Sequence, residues 1–320
     1  MVEIGYALSS EEHDPKSLLR QGQLAADAGF ETVWISDHFH PWLDDQGQSP
    51  FVWSVIGALA ATTSVNLATA VTCPTMRIHP AILAQAAATS AVLTDGRFEF
   101  GVGSGENLNE HILGGRWPLA DERLEMLEEA IEVIRLMWTG DEVTHRGKHY
   151  TVENARIYSM PDTPPPIIVS GFGPKATDLA ARVGDGFITT SPDGELLGRY
   201  RANGGKGSAA AGFKVCWGPD KDACIKTAHR LWRTSGVPGE LSQELRSPAL
   251  FDQAASLVTP DMVAESVLCG PDIEPIVASF KQYVEAGYDR VYITQIGDDQ
   301  DAFFRFYARE LASAFADAAR

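Results

Sequence analysis

The chain reads as an α/β protein of the (β/α)8 TIM-barrel class, and three observations carry that reading. Eight short apolar runs alternate with segments of helical periodicity. The length of 320 residues holds a barrel of roughly 250 residues with room for insertions. Polar residues able to do chemistry cluster just after several of the apolar runs, where a parallel barrel opens its ligand-binding mouth.

The elements follow in order. Val2 to Leu8 is the first strand. Pro15 to Ala28 is a helix closed by Gly29, a residue suited to a helix end. Glu31 to Ile35 is the second strand, its Thr32-Val33-Trp34-Ile35 run being that of a strand buried on both faces. Pro50 opens a helix through Ala61, as proline in a first turn allows. Val65 to Val71 is the third strand, and Pro80 to Leu93 an alanine-rich helix. Asp95-Gly96 turns the chain into the fourth strand, Arg97 to Gly103. From about Leu119 to Trp138, Leu124, Leu127, Ile131, Ile134 and Trp138 recur at helical spacing and mark a core face.

Residues 139–160 read as a β-rich insertion, with Gly147 to Val152 as one strand. Ile167 to Ser170, the helix Pro174 to Val183 and the strand Gly186 to Thr190 make a further unit. Phe213 to Trp217 is the seventh strand, followed by a helix from Asp220 to Arg233. Residues 235–258 read as a second, irregular insertion, and Asn203 to Gly207 as a surface loop. Helices near 260–268 and 272–286 precede the eighth strand, Arg290 to Thr294, and Asp301 to Ala318 is a closing helix. One barrel domain over residues 1–320 is expected.

The hydrophobic fraction of 44% is ordinary for a globular protein. A net charge of −17, spread along the chain, argues against nucleic acid and anionic membrane surfaces as partners. Cys73, Cys216, Cys224 and Cys269 are scattered with no CxxC pair. That indicates neither a disulfide framework nor a zinc site, and suits a reducing, cytoplasmic compartment. The chain enters its first strand directly, so neither a signal peptide nor a membrane span is expected.

Ser36-Asp37-His38-Phe39-His40-Pro41-Trp42 leaves the second strand and brings an acid, two imidazoles and an indole to the mouth. Imidazole titrates near neutrality and is the commonest biological acid or base. One Asp-His pair alone would be only a satisfied turn, but three further clusters stand at other strand ends. Gly101 to Glu110 leaves the fourth strand and includes Glu106, whose carboxyl can be pushed up by a mouth partly screened from water. Taken alone, the run is equally a glycine-rich turn with a solvated acid. Ala70-Val71-Thr72-Cys73-Pro74-Thr75 leaves the third strand, and Cys73 fits a small residue packed against a flat ligand better than a nucleophile. Ser170-Gly171-Phe172-Gly173-Pro174 leaves the fifth strand and opens a helix whose amides suit a phosphate. Glu11, after the first strand, is a candidate to face the same mouth, although an acid in such a loop is more commonly solvated. His79, His111, His145, His149 and His229 show no metal-ligand pattern, and His229 reads as a helix-surface residue.

The Ser36-to-Trp42 stretch, the Gly103-to-Glu110 run and Gly184-Asp185-Gly186-Phe187 resemble the luciferase-like monooxygenase superfamily. Within it, they resemble the branch that uses the deazaflavin coenzyme F420, the F420-dependent glucose-6-phosphate dehydrogenases among them. The resemblance spans most of the chain. It implies a luciferase-like barrel, a homodimer, and F420 lying in the mouth. It implies that His38 takes a substrate hydroxyl proton, that Glu106 serves the ring N1, and that Trp42 stacks near the reacting carbon. Asp37 would help hold the cofactor and the loop, and Cys73, Gly105 and Asn109 would also bind the cofactor. A non-proline cis peptide at Ala70-Val71 would back that ring. The cofactor tail would pass Ser170, Gly171, Phe172 and Gly173, and Glu11, Trp42 and Arg246 would face substrate.

The sugar-phosphate enzymes place cations around the phosphate, whereas this chain has Asp193 after its sixth strand, Glu240 to Arg246 in the insertion, and Ala264-Glu265-Ser266 beyond. Arg246 is then the one plausible cation, and Asp193 with Glu244 would repel a phosphate dianion. The expected substrate is a small non-phosphorylated alcohol, sugar or carbonyl compound. An FMN-dependent monooxygenase, an F420-dependent glucose-6-phosphate dehydrogenase and a non-catalytic deazaflavin carrier are the competing readings.

Overall fold

Eight parallel strands close into a barrel in the computed structural model, which describes residues 2–237 and 239–319. In chain order the strands are β1 (Glu3–Leu8), β2 (Thr32–Ile35), β3 (Asn66–Thr69), β4 (Phe98–Val102), β5 (Val143–Arg146), β6 (Thr151–Ala155), β7 (Ile167–Ser170), β8 (Gly186–Ile188), β9 (Ala209–Cys216), β10 (Leu268–Cys269) and β11 (Arg290–Gln295). The ring runs β1-β2-β3-β4-β7-β8-β9-β11 and returns to β1, as the alternation of elements predicts. β5 and β6 form a separate hairpin, and β10 extends the upper end of β9.

The helices around the ring are α1 (Pro15–Ala28), α2 (Val52–Thr62), α3 (Pro80–Leu93), α4 (Asn107–Glu110), α5 (Ala120–Met137), α6 (Pro174–Val183), α7 (Gly194–Ala202) and α8 (Lys221–Trp232). They continue with α9 (Leu241–Glu244), α10 (Pro248–Ala254), α11 (Pro260–Ser266), α12 (Ile273–Ala286), α13 (Gln300–Phe306) and α14 (Ala312–Ala318). α1 shows how local chemistry sets such a boundary. The Asp14 carboxylate accepts from the Lys16 and Ser17 amides, and Gly29 ends the helix at φ +92°. No described helix is long and apolar enough to cross a membrane.

Two layers of core result. Leu18, Val33, Phe98, Phe100, Ile131 and Phe280 lie between ring and helices, fully buried or nearly so. Inside the ring, Trp34, Ala68, Ile168, Ile188 and Ala210 fill the middle. Below them Arg290 pairs with Glu99 at 2.5 Å and Glu3 at 2.8 Å, and lies over Trp34. The lower end is therefore plugged by charge, and the barrel opens at the other end.

Several boundaries differ from the sequence reading. β9 begins at Ala209, four residues before the apolar Phe213 that marked it. Its Ala-Ala-Ala-Gly start has poor strand propensity, yet a Cβ on Gly212 would stand 2.1 Å from the Tyr292 carbonyl, so tight strand packing selects small residues there. α7 was not foreseen; the Asp193 carboxylate caps it by accepting from the Leu196 amide. In the first insertion the strand starts at Thr151, because Gly147 to Tyr150 form the hairpin turn. The Glu129 carboxylate holds that turn by accepting from the His149 and Tyr150 amides. The second insertion is not irregular throughout, since α9 and α10 lie within it. His229 is half-buried, with Nε2 2.8 Å from the Val258 carbonyl, which ties α8 to that insertion.

Candidate active site

The upper ends of β1, β2, β3, β4 and β7 bring most of the sequence-selected residues together. His38 is the hub. Its Nε2 lies 3.4 Å from Glu11 and 3.7 Å from Glu106, so two carboxylates from different strand ends flank one imidazole nitrogen. Its Nδ1 lies 3.2 Å from both the Asn109 amide nitrogen and the His40 carbonyl.

Asn109 is buried and orients this cluster. Its Oδ1 accepts from the Phe39 and His40 amides at 2.9 and 3.1 Å. Its NH2 group must therefore point the other way, towards His38 and the Glu106 carboxylate. Nδ1 of His38 thus has two partners matched to the two neutral tautomers. Unprotonated, it accepts from Asn109; protonated, it donates to the His40 carbonyl.

The carboxyls differ in state. Glu11 is 3% exposed, and its pKa is lowered. Burial, the largest influence, pushes it up, but His38 and the Ser36 and Ser9 hydroxyls outweigh that. Glu106 is pushed up to about 7, chiefly by burial, with the nearby Glu11 charge adding to it and His38 opposing it. One carboxylate is held charged, and the other is tuned to exchange a proton near neutrality.

Asp37 does not face the mouth. Its side chain is wholly buried, accepting from Arg77 at 2.8 Å and from the Thr72 hydroxyl at 2.7 Å. Arg77 also lies 3.6 Å from Glu110, whose other oxygen accepts from the Arg77 amide. This buried trio ties the loops after β2, β3 and β4 to one another. Burial pushes the Cys73 thiol up, so it is protonated and packed, as the sequence suggested.

Beside this cluster the backbone forms a close-set shelf. The Ala70–Val71 peptide is cis. A Cβ on Gly103 would stand 2.7 Å from Val71 Cγ2, and one on Gly105, at φ +84°, would stand 2.5 Å from Cys73 Sγ. At the end of β7, Ser170 and Gly171 are buried while Phe172 is 57% exposed. Gly173 caps α6 without a side-chain hydrogen bond, so, Pro174 having no N–H, the Lys175 and Ala176 amides keep their donor capacity.

On the remaining side stands Trp42, its ring 5.1 Å from His38 and edge-on to Phe251 of α10 at 5.0 Å. The second insertion thus supports the indole. Arg246 is exposed between α9 and α10, and the structure gives it no contact with His38, Glu106 or Trp42. Asp193 is engaged as the α7 cap and Glu244 lies 3.4 Å from Arg123. Both acids are therefore occupied elsewhere, and the repulsion assigned to them falls away.

The sequence reading missed Arg77, Glu12, Lys214 and Trp232 here. Arg77 carried no motif signal. Glu12 is pushed up to about 7, chiefly by burial, and accepts from the Trp232 indole at 2.6 Å and the Gly297 amide at 3.0 Å. Lys214 of β9 lies 4.3 Å over the Trp232 ring. A strand-internal lysine directly after Phe213 was the available signal.

The chain shares its fold and about a third of its sequence with known proteins. The luciferase-like monooxygenase family model matches residues 1–290. The chain is 36% identical to an F420-dependent glucose-6-phosphate dehydrogenase of Microbacterium testaceum (strain StLB037), over 97% of this chain and 96% of that one. It is 34% identical to the enzyme of the same name from Amycolatopsis mediterranei (strain U-32), over 97% and 98%. Among solved structures, an F420-dependent secondary alcohol dehydrogenase in complex with an F420-acetone adduct superposes with a TM-score of 0.89. It is 32% identical and the match covers 100% of this chain and 99% of that one. The F420-dependent tetrahydromethanopterin reductase of Methanopyrus kandleri shares the fold at a TM-score of 0.79 and 21% identity, over 98% and 99%.

Proposed function

We propose, for a chain that belongs to the luciferase-like monooxygenase family, that it is an F420-dependent oxidoreductase acting on a small alcohol or carbonyl compound. The observation that carries this is the His38 imidazole flanked by Glu11 and Glu106 beside the shelf at Val71, Gly103 and Gly105. The residues fit the cofactor. The shelf offers a flat ring a floor of backbone and small side chains. The uncapped start of α6 and the exposed Phe172 suit a phosphate-bearing tail. Ala70, Val71, Cys73, Gly105 and Asn109 would line the ring, and Ser170, Gly171, Phe172 and Gly173 the tail. Asp37 would serve indirectly, by holding the loop.

F420, when bound, supplies the deazaflavin C5 that exchanges a hydride with the substrate carbon. The protein supplies placement and protons. For alcohol oxidation, His38 needs a bare Nε2, and the His40 carbonyl accepts the ring proton on Nδ1 in that tautomer. Nε2 then takes the hydroxyl proton as the C–H electron pair leaves as hydride and the C=O bond forms. The resulting imidazolium lies against the Glu11 carboxylate. Glu106, pushed up to about 7, would hold a second proton for the bound ring. Trp42 bounds the substrate. Reduction of a carbonyl reverses each transfer.

A sugar phosphate is not the substrate in this reading. Among the described residues Lys214 has no ion-pair partner within 4.0 Å, and Glu11 and Glu12 act on it. One ammonium beside two acids is a poor match for a dianion. The reading further takes the chain as one domain, cytoplasmic and homodimeric; sedimentation tests the last point.

Titration with F420 and, separately, FMN tests the cofactor. Saturable F420 binding with little response to FMN is expected, and preference for FMN sinks the proposal in favour of a monooxygenase. His38→Ala should abolish F420-dependent turnover while changing F420 affinity little. A protein that binds F420 but shows no turnover to lose with any alcohol or carbonyl is a carrier instead.

A further inference from the structure

Lys214 sits where a structural lysine has no reason to be. Side chains alternate faces along a strand. On β9, Phe213 and Val215 belong to the layer between ring and helices, while Ala210 belongs to the interior of the barrel. Lys214 shares the face of Ala210 and stands near the open end of the strand. Its ammonium lies 4.3 Å over the ring of Trp232, which the Glu12 carboxyl fixes through the indole N–H.

The same chamber holds the hydride-transfer residues. Glu11, which acts on Lys214 through space, is the carboxylate paired with His38. Trp42, beside His38, packs against the small core that contains Trp232. Among the described residues, however, Lys214 makes no hydrogen bond to any group and no ion pair within 4.0 Å. A half-buried ammonium is costly without a partner, and the ring face of one indole offsets only part of that cost. Its three N–H donors are free for a ligand.

We propose that Lys214 is a substrate-specificity residue whose ammonium receives a second oxygen acceptor carried by the substrate, a carboxylate or a hydroxyl, in addition to the oxygen at the reacting carbon. The substrate is then an oxygenated alcohol or its carbonyl counterpart rather than a plain alkanol. This rests on the F420-oxidoreductase reading above. It replaces Arg246, which is exposed, as the cation of the site.

A matched series tests it: propan-2-ol, propane-1,2-diol, lactate and the one-carbon-longer 3-hydroxybutanoate. Wild type should prefer at least one of the oxygenated compounds over propan-2-ol by about tenfold or more in kcat/KM, as one charge-assisted hydrogen bond allows. Lys214→Met, which keeps the stem over Trp232, should cut that preference about tenfold, and Lys214→Arg should keep most of it. Preference for the two acids alone assigns the carboxylate; preference shared by the diol assigns any oxygen acceptor. Equal loss for all four compounds in Lys214→Met, or an unchanged preference, overturns the assignment.

Calorimetry with lactate and propane-1,2-diol supplies a readout that needs no turnover. Binding present in wild type and lost in Lys214→Met supports the assignment, and identical isotherms defeat it. A protein that binds no F420 defeats the proposed function, and the calorimetric comparison still decides the role of Lys214.

Discussion

Glu106→Gln should make the protein more stable and less active, and the two effects should have opposite pH dependences. The side chain is 30% exposed, lies 3.7 Å from His38 and is pushed from its ordinary 4.5 up to about 7. A carboxyl with a raised folded-state pKa favours folding at low pH, and that advantage is lost as pH rises from 4.5 to about 7. Each tenfold in proton affinity is about 1.4 kcal/mol. Above pH 7 the ionised Glu106 therefore costs on the order of 3 kcal/mol. Glutamine is neutral throughout. It should stabilise the fold by up to ~3 kcal/mol at pH 8 and by almost nothing at pH 4. Urea unfolding at the two pH values reads this directly. In the alcohol-oxidising direction the donor must carry its proton, so wild-type turnover should fall roughly tenfold between pH 6 and pH 8, as the protonated fraction drops from about 0.9 to about 0.1. Glu106→Gln should be slow at every pH and lack that alkaline limb. A variant with the wild-type limb, or with no gain in stability at pH 8, would refute the assignment of the titration to Glu106.

Three further substitutions probe the scaffold of the site. Arg77→Met leaves the wholly buried Asp37 and the buried Glu110 without their cation and should cost about 3–5 kcal/mol in denaturant unfolding; adding Asp37→Asn should recover part of it, and full additivity would show that the two do not interact. Asn109→Leu strips the Phe39 and His40 amides of their acceptor and should cost ~2–5 kcal/mol while weakening turnover; a variant as stable as wild type would mean that water replaces the amide. Gly105→Ala places a Cβ 2.5 Å from Cys73 Sγ at φ +84° and should lower the unfolding midpoint clearly. Cys73→Ala in the same chain should relieve the worst clash and leave the backbone cost with the tighter 3.1 Å approach to Glu110 Cγ, and no rescue would locate the problem elsewhere.

The barrel was legible because its causes are local and repeated. Eight apolar runs between helical segments, with Asp14 and Gly29 at the ends of the first helix, each point the same way. The errors fell where tertiary packing overrides propensity. Ala209 to Gly212 looked like no strand, but the ring needs small residues against Tyr292. Asp193 looked like a mouth-facing acid and is a helix cap. Glu244 looked equally free and is paired with Arg123 across 121 positions of sequence.

The candidate site divides in the same way. Residue types able to move protons or cradle a ring were visible as motifs: Asp37, His38 and Trp42 in one stretch, Gly105, Glu106 and Asn109 in another. Which of them meet was not visible, because a motif records neighbours along the chain and a site is made of neighbours across it. By itself the sequence determined the order of elements, the strand ends that carry chemistry and the resemblance to a family. Only the tertiary structure decided that Glu11 and Glu106 converge on one nitrogen of His38, that Asp37 turns away to Arg77, and that the Lys214 ammonium lies over the Trp232 ring. Barrel closure sets those outcomes. It brings β9 and β11 round to β1, so that residues some two hundred positions apart share one low-dielectric space.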